Sequence, residues 1–308
     1  MSSASLQPPV GTPEPQTFGG PSRLARWASF VKLPHTVFAL PFALVGVLLA
    51  SFTRPVDARV VGWVIVAFTA ARFAAMAFNR IVDRDVDAAN PRTAMRELPS
   101  GALGVREAKL SVALASALFV VAAAMLNPLC LALSPVALAW VFSYSYTKRF
   151  TRWSHLVLGL GLGIAPVGGY LAVTGAWSEP SWLLCVLALA VATWVGGFDV
   201  FYSLQDEQFD RAAGLHSLPA SLGERGAIGV ARALHVVAVL MLGAVAWGAP
   251  GGRTFIAAGV ACVAALLLCE HRLVRPGDLS RLDAAFFTMN GVISLVFLGC
   301  VLAARLLA

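Results

Sequence analysis

The sequence predicts an all-α, polytopic membrane protein with nine transmembrane helices around a central cavity. Hydrophobic residues make up 58% of the 308-residue chain, whereas charged residues make up only 13%. The mean hydropathy is +0.77. Several apolar runs approach the ~20 residues that a helix needs to cross ~30 Å of hydrocarbon. Because the backbone must satisfy its own hydrogen bonds within lipid, these runs are expected to be helices.

Charged or Pro- and Gly-rich breaks set the limits of each predicted span. We place the nine spans at 29–52, 58–80, 105–125, 129–146, 154–174, 181–203, 227–247, 254–270 and 283–304. Residues 1–22 are rich in Pro, Ser and Gly and have no apolar core of their own. We therefore expect a disordered cytoplasmic tail over 1–22 and a membrane-embedded domain over 23–308.

The distribution of basic residues predicts the orientation in the membrane, because Lys and Arg are retained on the cytoplasmic side. The nine predicted spans place 18 of the 23 basic residues in the amino-terminal segment and in alternate loops on one side of the membrane. The opposite side carries only Arg54, Arg59, Arg253 and Arg305. The amino terminus is therefore expected in the cytoplasm. The net charge of +7 is dispersed through these short loops, which argues against a nucleic-acid partner.

Other small and polar residues of the spans are predicted to serve helix packing. The glycines of the fifth span are expected to allow close approach of neighbouring helices. These are Gly159, Gly161, Gly163, Gly168 and Gly169. The Gly-x-Gly-x-Gly run is in the wrong context for dinucleotide binding. His155, at the start of the same span, could line the cavity, but a hydrogen bond to a neighbouring helix is the expected role.

Two acidic clusters lie at the ends of the second and sixth spans. Each has polar residues at a four-residue spacing: Asn79, Asp83 and Asp87 in one, and Tyr202, Asp206 and Asp210 in the other. Residues four apart on a helix share one face. A carboxylate near the hydrocarbon costs about 2.5–3.5 kcal/mol, and clustered carboxylates repel unless a cation compensates. Hard oxygen ligands at this density favour Mg²⁺, which shares its coordination shell with phosphate oxygens. The four aspartates are therefore predicted to bind Mg²⁺ and a diphosphate.

Basic residues beside these clusters could complete the neutralisation of a diphosphate. Arg84, Arg92 and Arg96 follow the first cluster, Arg211 and His216 follow the second, and Lys148 and Arg149 lie between the fourth and fifth spans. The alternative for each cation is that it maintains the topology and pairs with a nearby aspartate.

Two charged residues lie deeper in the same spans. Arg72 is seven residues before Asn79, about 10 Å along the helix axis, and Asp199 stands in the same relation to Asp206. Because isolated charges are costly in lipid, each is expected to face a protein cavity. They could pair with each other. Alternatively, Arg72 binds an anionic group of a second substrate, such as a carboxylate, while Asp199 orients its hydroxyl or accepts a proton.

In the spacing of these residues, the chain resembles the UbiA superfamily of intramembrane prenyltransferases. The family has Asn-x3-Asp-x3-Asp on its second helix and Asp-x3-Asp on its sixth, matched by Asn79, Asp83, Asp87, Asp206 and Asp210. Its Tyr-x3-Lys pattern is matched by Tyr144 and Lys148. The resemblance extends from about residue 25 to nearly the end of the chain. Segments 32–36, 79–85 and 92–99 are similar to the bacterial 4-hydroxybenzoate polyprenyltransferase-like branch.

The resemblance implies Mg²⁺-dependent transfer of a polyprenyl group from a polyprenyl diphosphate to an aromatic carboxylic acid in quinone biosynthesis. It implies 4-hydroxybenzoate as acceptor, the bacterial inner membrane as location and membrane lipid as surroundings, without an obligatory protein partner. Asp83, Asp87, Asp199, Asp206 and Asp210 would be catalytic. The substrate-binding residues would be Asn79, Arg72, Arg84, Arg92, Tyr144, Lys148, Arg149, Tyr202, Arg211 and His216.

Two alternatives remain open at this point. Many ubiquinone-pathway members have Gly-Ile-Lys-Ser after the second motif, whereas this chain has Gly-Leu-His-Ser over 214–217. An aromatic acid of the futalosine route to menaquinone is therefore an alternative acceptor. The alternative from another class is a secondary transporter, in which charges near broken helices bind a substrate and a coupling ion. Crowding of the ionisable residues toward one face favours the enzyme.

Overall fold

The computed structural model describes residues 22–32, 34–282 and 284–307, which form helices joined by short loops. The helices are α1 (Arg23–Phe30), α2 (Pro34–Ser51), α3 (Ala58–Val82), α4 (Arg84–Ala89), α5 (Val105–Leu126), α6 (Pro128–Thr147), α7 (Ser154–Thr174), α8 (Leu183–Ser203), α9 (Glu207–Ala212), α10 (Leu218–Gly248), α11 (Arg253–Leu273) and α12 (Asn290–Leu307). The predicted tail, 1–22, lies outside the described residues apart from Ser22. The Ser22 hydroxyl caps α1 by accepting a hydrogen bond from Ala25 N.

The chain is an all-α, multi-pass membrane protein. Within the described residues, eight helical segments are long and apolar enough to cross a membrane. They are α3, α5, α6, α7, α10 and α11, together with α8 extended through α9 and α12 with the π-helical turn before it. The apolar stretch described in α2, Ala39–Ser51, is shorter. The number of nine spans therefore stays a prediction.

The prediction of one continuous helix over 29–52 is wrong. α1 ends at Phe30 and α2 begins at Pro34, whose missing N–H suits the first turn of a helix. Between them the backbone of Lys32 adopts a left-handed conformation, with φ at 47°. Lys32 is only 7% exposed, because this break directs it into the protein rather than along a lipid-facing helix.

The helices form two groups that share α2 and α7. One group contains α2, α3, α5, α6 and α7, and the other contains α2, α7, α8, α10, α11 and α12. α8 lies between α7 and α10 and is buried along most of its length. Large apolar side chains on the outer faces of α5, α6, α10 and α12 are exposed, as expected for surfaces that face lipid.

The glycines of α7 serve two different purposes. A Cβ atom on three of them would overlap the backbone carbonyl of a residue in a neighbouring helix: Gly159 faces Ala192, Gly163 faces Ala188 and Gly169 faces Ala43. Close packing is therefore confirmed at these positions. Gly161 and Gly168 line an apolar cavity. A Cβ atom on Gly161 would make ordinary contacts with Trp140 and Val141 of α6, whereas one on Gly168 would meet no heavy atom within 4 Å, so the prediction of packing is wrong for Gly168.

Candidate active site

Both acidic clusters lie where a long helix is interrupted. α3 ends at Val82, and Asp83 joins it to the short α4; α8 passes through a 3₁₀ turn, Leu204–Asp206, into α9. The continuous helical stripes that we expected are therefore broken. The four-residue register survives in the first cluster, since Asp83 N donates to Asn79 O at 2.8 Å and Asp87 N donates to Asp83 O at 2.7 Å.

The two clusters meet at one polar cavity of about 250 Å³. All four motif aspartates line it, as do Asn79, Tyr202 and Asp199. Among the described residues, the lining contains seven cationic side chains against five aspartates. The cations are Lys32, Arg72, Arg80, Arg92, Arg96, Lys148 and Arg149. Their excess over the aspartates makes the cavity suited to an anion.

Each motif aspartate already has a cationic partner. Arg149 Nη2 lies 3.0 Å from Asp83 Oδ1, and Asn79 Nδ2 donates to Asp83 Oδ2 at 2.9 Å. Arg96 pairs with Asp87, Arg92 with Asp206, and Lys148 with Asp210. These four cations therefore pair with the aspartates, as the alternative interpretation predicted. The same cations can transfer their hydrogen bonds from the aspartates to the oxygens of a bound diphosphate.

Asp206 and Asp210 differ in how well their oxygens are satisfied. Asp206 accepts hydrogen bonds from Asn90 Nδ2 and Arg92 Nε at 2.9 Å each, and from Arg92 Nη2. Asp210 is 1% exposed, yet no group in the described part of the chain donates a hydrogen bond of good geometry to either oxygen. Lys148 Nζ lies 2.9 Å from Asp210 Oδ1 as an ion pair. A buried carboxylate whose oxygens accept so few hydrogen bonds is suited to binding a cation.

Burial and the neighbouring charges shift the pKa values of two side chains that line the polar cavity. Burial, together with the neighbouring Arg96, Arg80 and Arg92, holds the pKa of Lys32 well below its usual range. Burial also raises the pKa of the Asp83 carboxyl, although Arg149 opposes this shift. A bound phosphate group would relieve the repulsion among the cations, which favours an anionic ligand here.

The aspartates fit a divalent cation that is shared with a ligand rather than enclosed by protein. Among the residues that the structure describes, no three His, Cys, Asp or Glu side chains are grouped closely enough to hold an ion. Mg²⁺ accepts one or two carboxylates and completes its shell with water and phosphate oxygens. The open oxygens of Asp210 are consistent with this mode of binding.

The polar cavity continues into an apolar cavity of about 210 Å³ between α3, α5, α6 and α7. Arg72, Met76, Tyr144, Leu158 and Leu162 line both and form their common wall. The Nε atom of Arg72 is buried and has no acceptor among the described residues. This unpartnered donor at the junction is available for an anionic group of a ligand.

Asp199 pairs with His155 rather than with Arg72. The Nδ1–H of His155 donates to Asp199 Oδ2 at 2.7 Å, and both residues line the polar cavity. His155 is 3% exposed, and its Nε2 has no partner among the described residues. With Nδ1 protonated, Nε2 of the neutral ring is an acceptor. The bond of His155 to a neighbouring helix is confirmed, and the pair can accept a proton.

Three predicted substrate-binding residues lie outside the lining of the polar cavity. Arg84 pairs with Asp85 at 2.9 Å on the exposed side of α4. Arg211 pairs with Glu207 at 2.9 Å, and its side chain is 60% exposed. His216 is exposed, and its backbone N–H donates to Lys148 O at 2.8 Å. Proximity in sequence to the aspartates did not place these side chains in the cavity.

The polar cavity also contains residues that we did not predict to bind substrate: Lys32, Arg80, Asn90 and Phe286. Lys32 Nζ donates to the Tyr202 hydroxyl at 3.0 Å, and the Phe286 ring lies 4.4 Å from the Tyr202 ring. The spacing of Asn90 from Asp83 and Asp87 could have indicated a shared face. Nothing local in the sequence indicates Lys32 or Phe286, which reach the cavity only through packing.

Comparison with known proteins gives one family match. The sequence profile of a family described as "UbiA prenyltransferase family" matches residues 39–292. Two curated relatives are 32% identical to the chain, and both are named 4-hydroxybenzoate octaprenyltransferase. The relative from Sodalis glossinidius aligns over 75% of this chain and 78% of its own length. The relative from Aromatoleum aromaticum aligns over 75% and 77%.

Solved structures with the same fold are also found. A UbiA homolog from Aeropyrum pernix K1, solved in the apo state, is 34% identical with a TM-score of 0.78, covering 87% of this chain and 97% of that chain. A UbiA homolog from Archaeoglobus fulgidus, described as bound to DMAPP and Mg²⁺, is 19% identical with a TM-score of 0.69. That alignment covers 91% of this chain and 99% of the homolog.

Proposed function

Because the chain belongs to the UbiA prenyltransferase family, we propose that it transfers a polyprenyl group from a polyprenyl diphosphate to 4-hydroxybenzoate in quinone biosynthesis. The names of its curated relatives support this acceptor. The observation that carries the proposal is the junction of the cation-rich polar cavity with the apolar cavity, which we call the apolar chamber. A polyprenyl diphosphate has an anionic head and an apolar tail that match these two parts.

The polar cavity binds the diphosphate head. Cations that now pair with aspartates, such as Arg96 and Lys148, are within the same lining and can donate to phosphate oxygens. We assign Mg²⁺ to Asp83, Asp87, Asp206 and Asp210. When bound, Mg²⁺ supplies positive charge that stabilises the departing diphosphate.

The chain's own residues support ionisation of the prenyl diphosphate. The allylic C–O bond breaks, and its electron pair leaves with the diphosphate. The negative charge that develops there is met by fixed cations such as Arg92 and Arg96. Met76, Leu158 and Leu162 lie at the junction of the two cavities and exclude water from the allylic cation.

The acceptor binds at the same junction. Arg72 receives its carboxylate, and a ring carbon beside the hydroxyl forms the new C–C bond to the allylic carbon. The ring proton then passes to the pair of His155 and Asp199, which restores the aromatic ring. The short hydrogen bond and the unpartnered Nε2 of His155 support this role.

We expect Asp199→Asn to lower kcat by about 100-fold, because a positioned base contributes 10²- to 10⁴-fold. The KM for the prenyl diphosphate is expected to change little, since the cations that bind the head are retained. Ring-deuterated 4-hydroxybenzoate provides the diagnostic measurement. The variant should show a larger isotope effect on kcat than the parent, because proton removal becomes slow. An unchanged kcat would show that Asp199 is not part of the base.

The reaction and the acceptor can be tested together. Membranes containing the protein are supplied with geranyl diphosphate, Mg²⁺ and a panel of aromatic carboxylic acids, and the products are identified by mass. We expect prenylated 4-hydroxybenzoate. His216, where the sequence departs from the ubiquinone pattern, lies outside the cavity lining and gives no physical reason for another acceptor. Product formed only with a menaquinone-pathway acid would identify that alternative, and solute flux without any covalent product would identify a transporter.

We further propose that the protein lies in the bacterial inner membrane with its active site toward the cytoplasm. The location of 18 of the 23 basic residues on one predicted side supports this orientation. Lys32, Arg92, Arg96 and Lys148, which line the polar cavity, belong to that side.

A further inference from the structure

The apolar chamber extends along α7 away from the polar cavity. On α7 its wall begins at Leu158, which borders both cavities, and continues to Leu171. At 1.5 Å per residue this wall is about 20 Å long. Gly168 lies about 15 Å beyond Leu158 along the helix axis, whereas Gly161 lies about 4.5 Å beyond it. Gly168 therefore belongs to the part of the chamber remote from the diphosphate.

Gly168 differs from the packing glycines of the same helix in what surrounds it. A Cβ atom on Gly168 would meet no heavy atom within 4 Å. A Cβ atom on Gly163, by contrast, would overlap the carbonyl of Ala188. Because Gly168 also lines the chamber, the absence of its side chain leaves open space there rather than close contact with another helix.

The chamber offers little besides shape with which to select a ligand. Among its described lining residues beyond Arg72 and Tyr144, the polar side chain is that of Ser134, whose hydroxyl donates to Leu131 O in its own helix at 2.8 Å. The α3 wall includes the small residues Ala67 and Ala71. An isoprenoid tail has no polar group by which its length could be read, so the length accepted depends on the available space.

We propose that Gly168 is a specificity-determining residue that keeps the remote part of the chamber open for the distal isoprene units of a long tail. This inference rests on the proposed function. A side chain at position 168 occupies the space of distal units and leaves the space next to the diphosphate unchanged. The same change at Gly161 lies near the first units of every prenyl diphosphate.

The test compares geranyl diphosphate with octaprenyl diphosphate as donors, using 4-hydroxybenzoate and Mg²⁺. Gly168→Leu is expected to lower kcat/KM for the octaprenyl donor by about 10- to 100-fold, because overfilling a packed apolar site is strongly unfavourable. The value for the geranyl donor is expected to change by less than about threefold. Gly168→Ala, a smaller change, should shift the ratio of the two values in the same direction.

Gly243→Leu is the matched control. Gly243 lies in α10, a Cβ atom there also meets no heavy atom within 4 Å, and Gly243 lines neither cavity. The ratio of its kcat/KM values for the octaprenyl and geranyl donors should equal that of the unsubstituted enzyme. An unchanged ratio in both Gly168 variants, or an equal loss with both donors, would overturn the role of Gly168. Absence of product from the parent enzyme with either donor would instead overturn the proposed function.

Discussion

Replacing Asp210 by asparagine is expected to lower the rate of prenyl transfer by about 100-fold or more, because it removes a negative charge that we propose holds the cation at the diphosphate. Asp210 is 1% exposed, and its partner among the described residues is the ammonium of Lys148, 2.9 Å from Oδ1. Asparagine has nearly the same shape, so the packing should be retained. The measurement is kcat for prenylated 4-hydroxybenzoate in membranes at saturating Mg²⁺ and prenyl diphosphate.

Asp210 makes a cleaner test than Asp206. Asparagine at Asp206 would leave the buried Arg92 without its bidentate partner, so lost activity could reflect lost structure. Asp85→Asn is the control, since Asp85 lies between Asp83 and Asp87 of the first cluster but has an 86% exposed side chain that pairs only with Arg84 among the described residues. Its activity should match the parent. Near-normal turnover by Asp210→Asn would remove Asp210 from the proposed cation site.

Replacing Arg72 by methionine is expected to raise the KM for 4-hydroxybenzoate by about 100-fold. Loss of a buried charged partner costs roughly 2–5 kcal/mol, and each 1.4 kcal/mol is tenfold in affinity. The KM for the prenyl diphosphate should change little, because Arg72 lies at the inner wall of the polar cavity rather than among the paired aspartates. Steady-state kinetics with each substrate varied in turn measures both constants.

A phenol that lacks the carboxylate tests the same contact from the substrate side. The parent enzyme should strongly prefer 4-hydroxybenzoate to phenol, whereas Arg72→Met should use the two almost equally. Arg152→Met, which changes an exposed arginine beside Trp153, is the control and should keep the preference of the parent. If Arg72→Met kept that preference, another residue would have to bind the carboxylate.

The acidic clusters could be predicted because their signal is local and energetic. Carboxylates are expensive beside hydrocarbon, and a four-residue spacing keeps Asn79, Asp83 and Asp87 in register. The register survives the interruption of α3, because the backbone hydrogen bonds continue across Asp83. Arg72 and Asp199 were likewise predicted to face a cavity from their spacing and from the cost of an isolated charge in lipid, and both line the polar cavity.

Predictions that rested only on the position of a residue after an acidic cluster were less accurate. Arg84 and Arg211 are close in sequence to the aspartates but pair with Asp85 and Glu207 on exposed surfaces. The direction of a side chain after a helix break depends on how the next short helix packs. The sequence does not encode that packing in a pattern of spacing.

The sequence by itself determined the helical membrane fold and the positions of the two acidic clusters, because hydropathy and helical period act within single segments. Only the tertiary structure decided which residues share the cavity and which glycines leave it open. Lys32 enters through a break between α1 and α2, and Phe286 comes from the turn before α12. Gly163 and Gly168 have the same residue type in one helix, yet one meets a neighbouring backbone and the other meets open space. That difference arises from the neighbouring helices, which are distant in sequence.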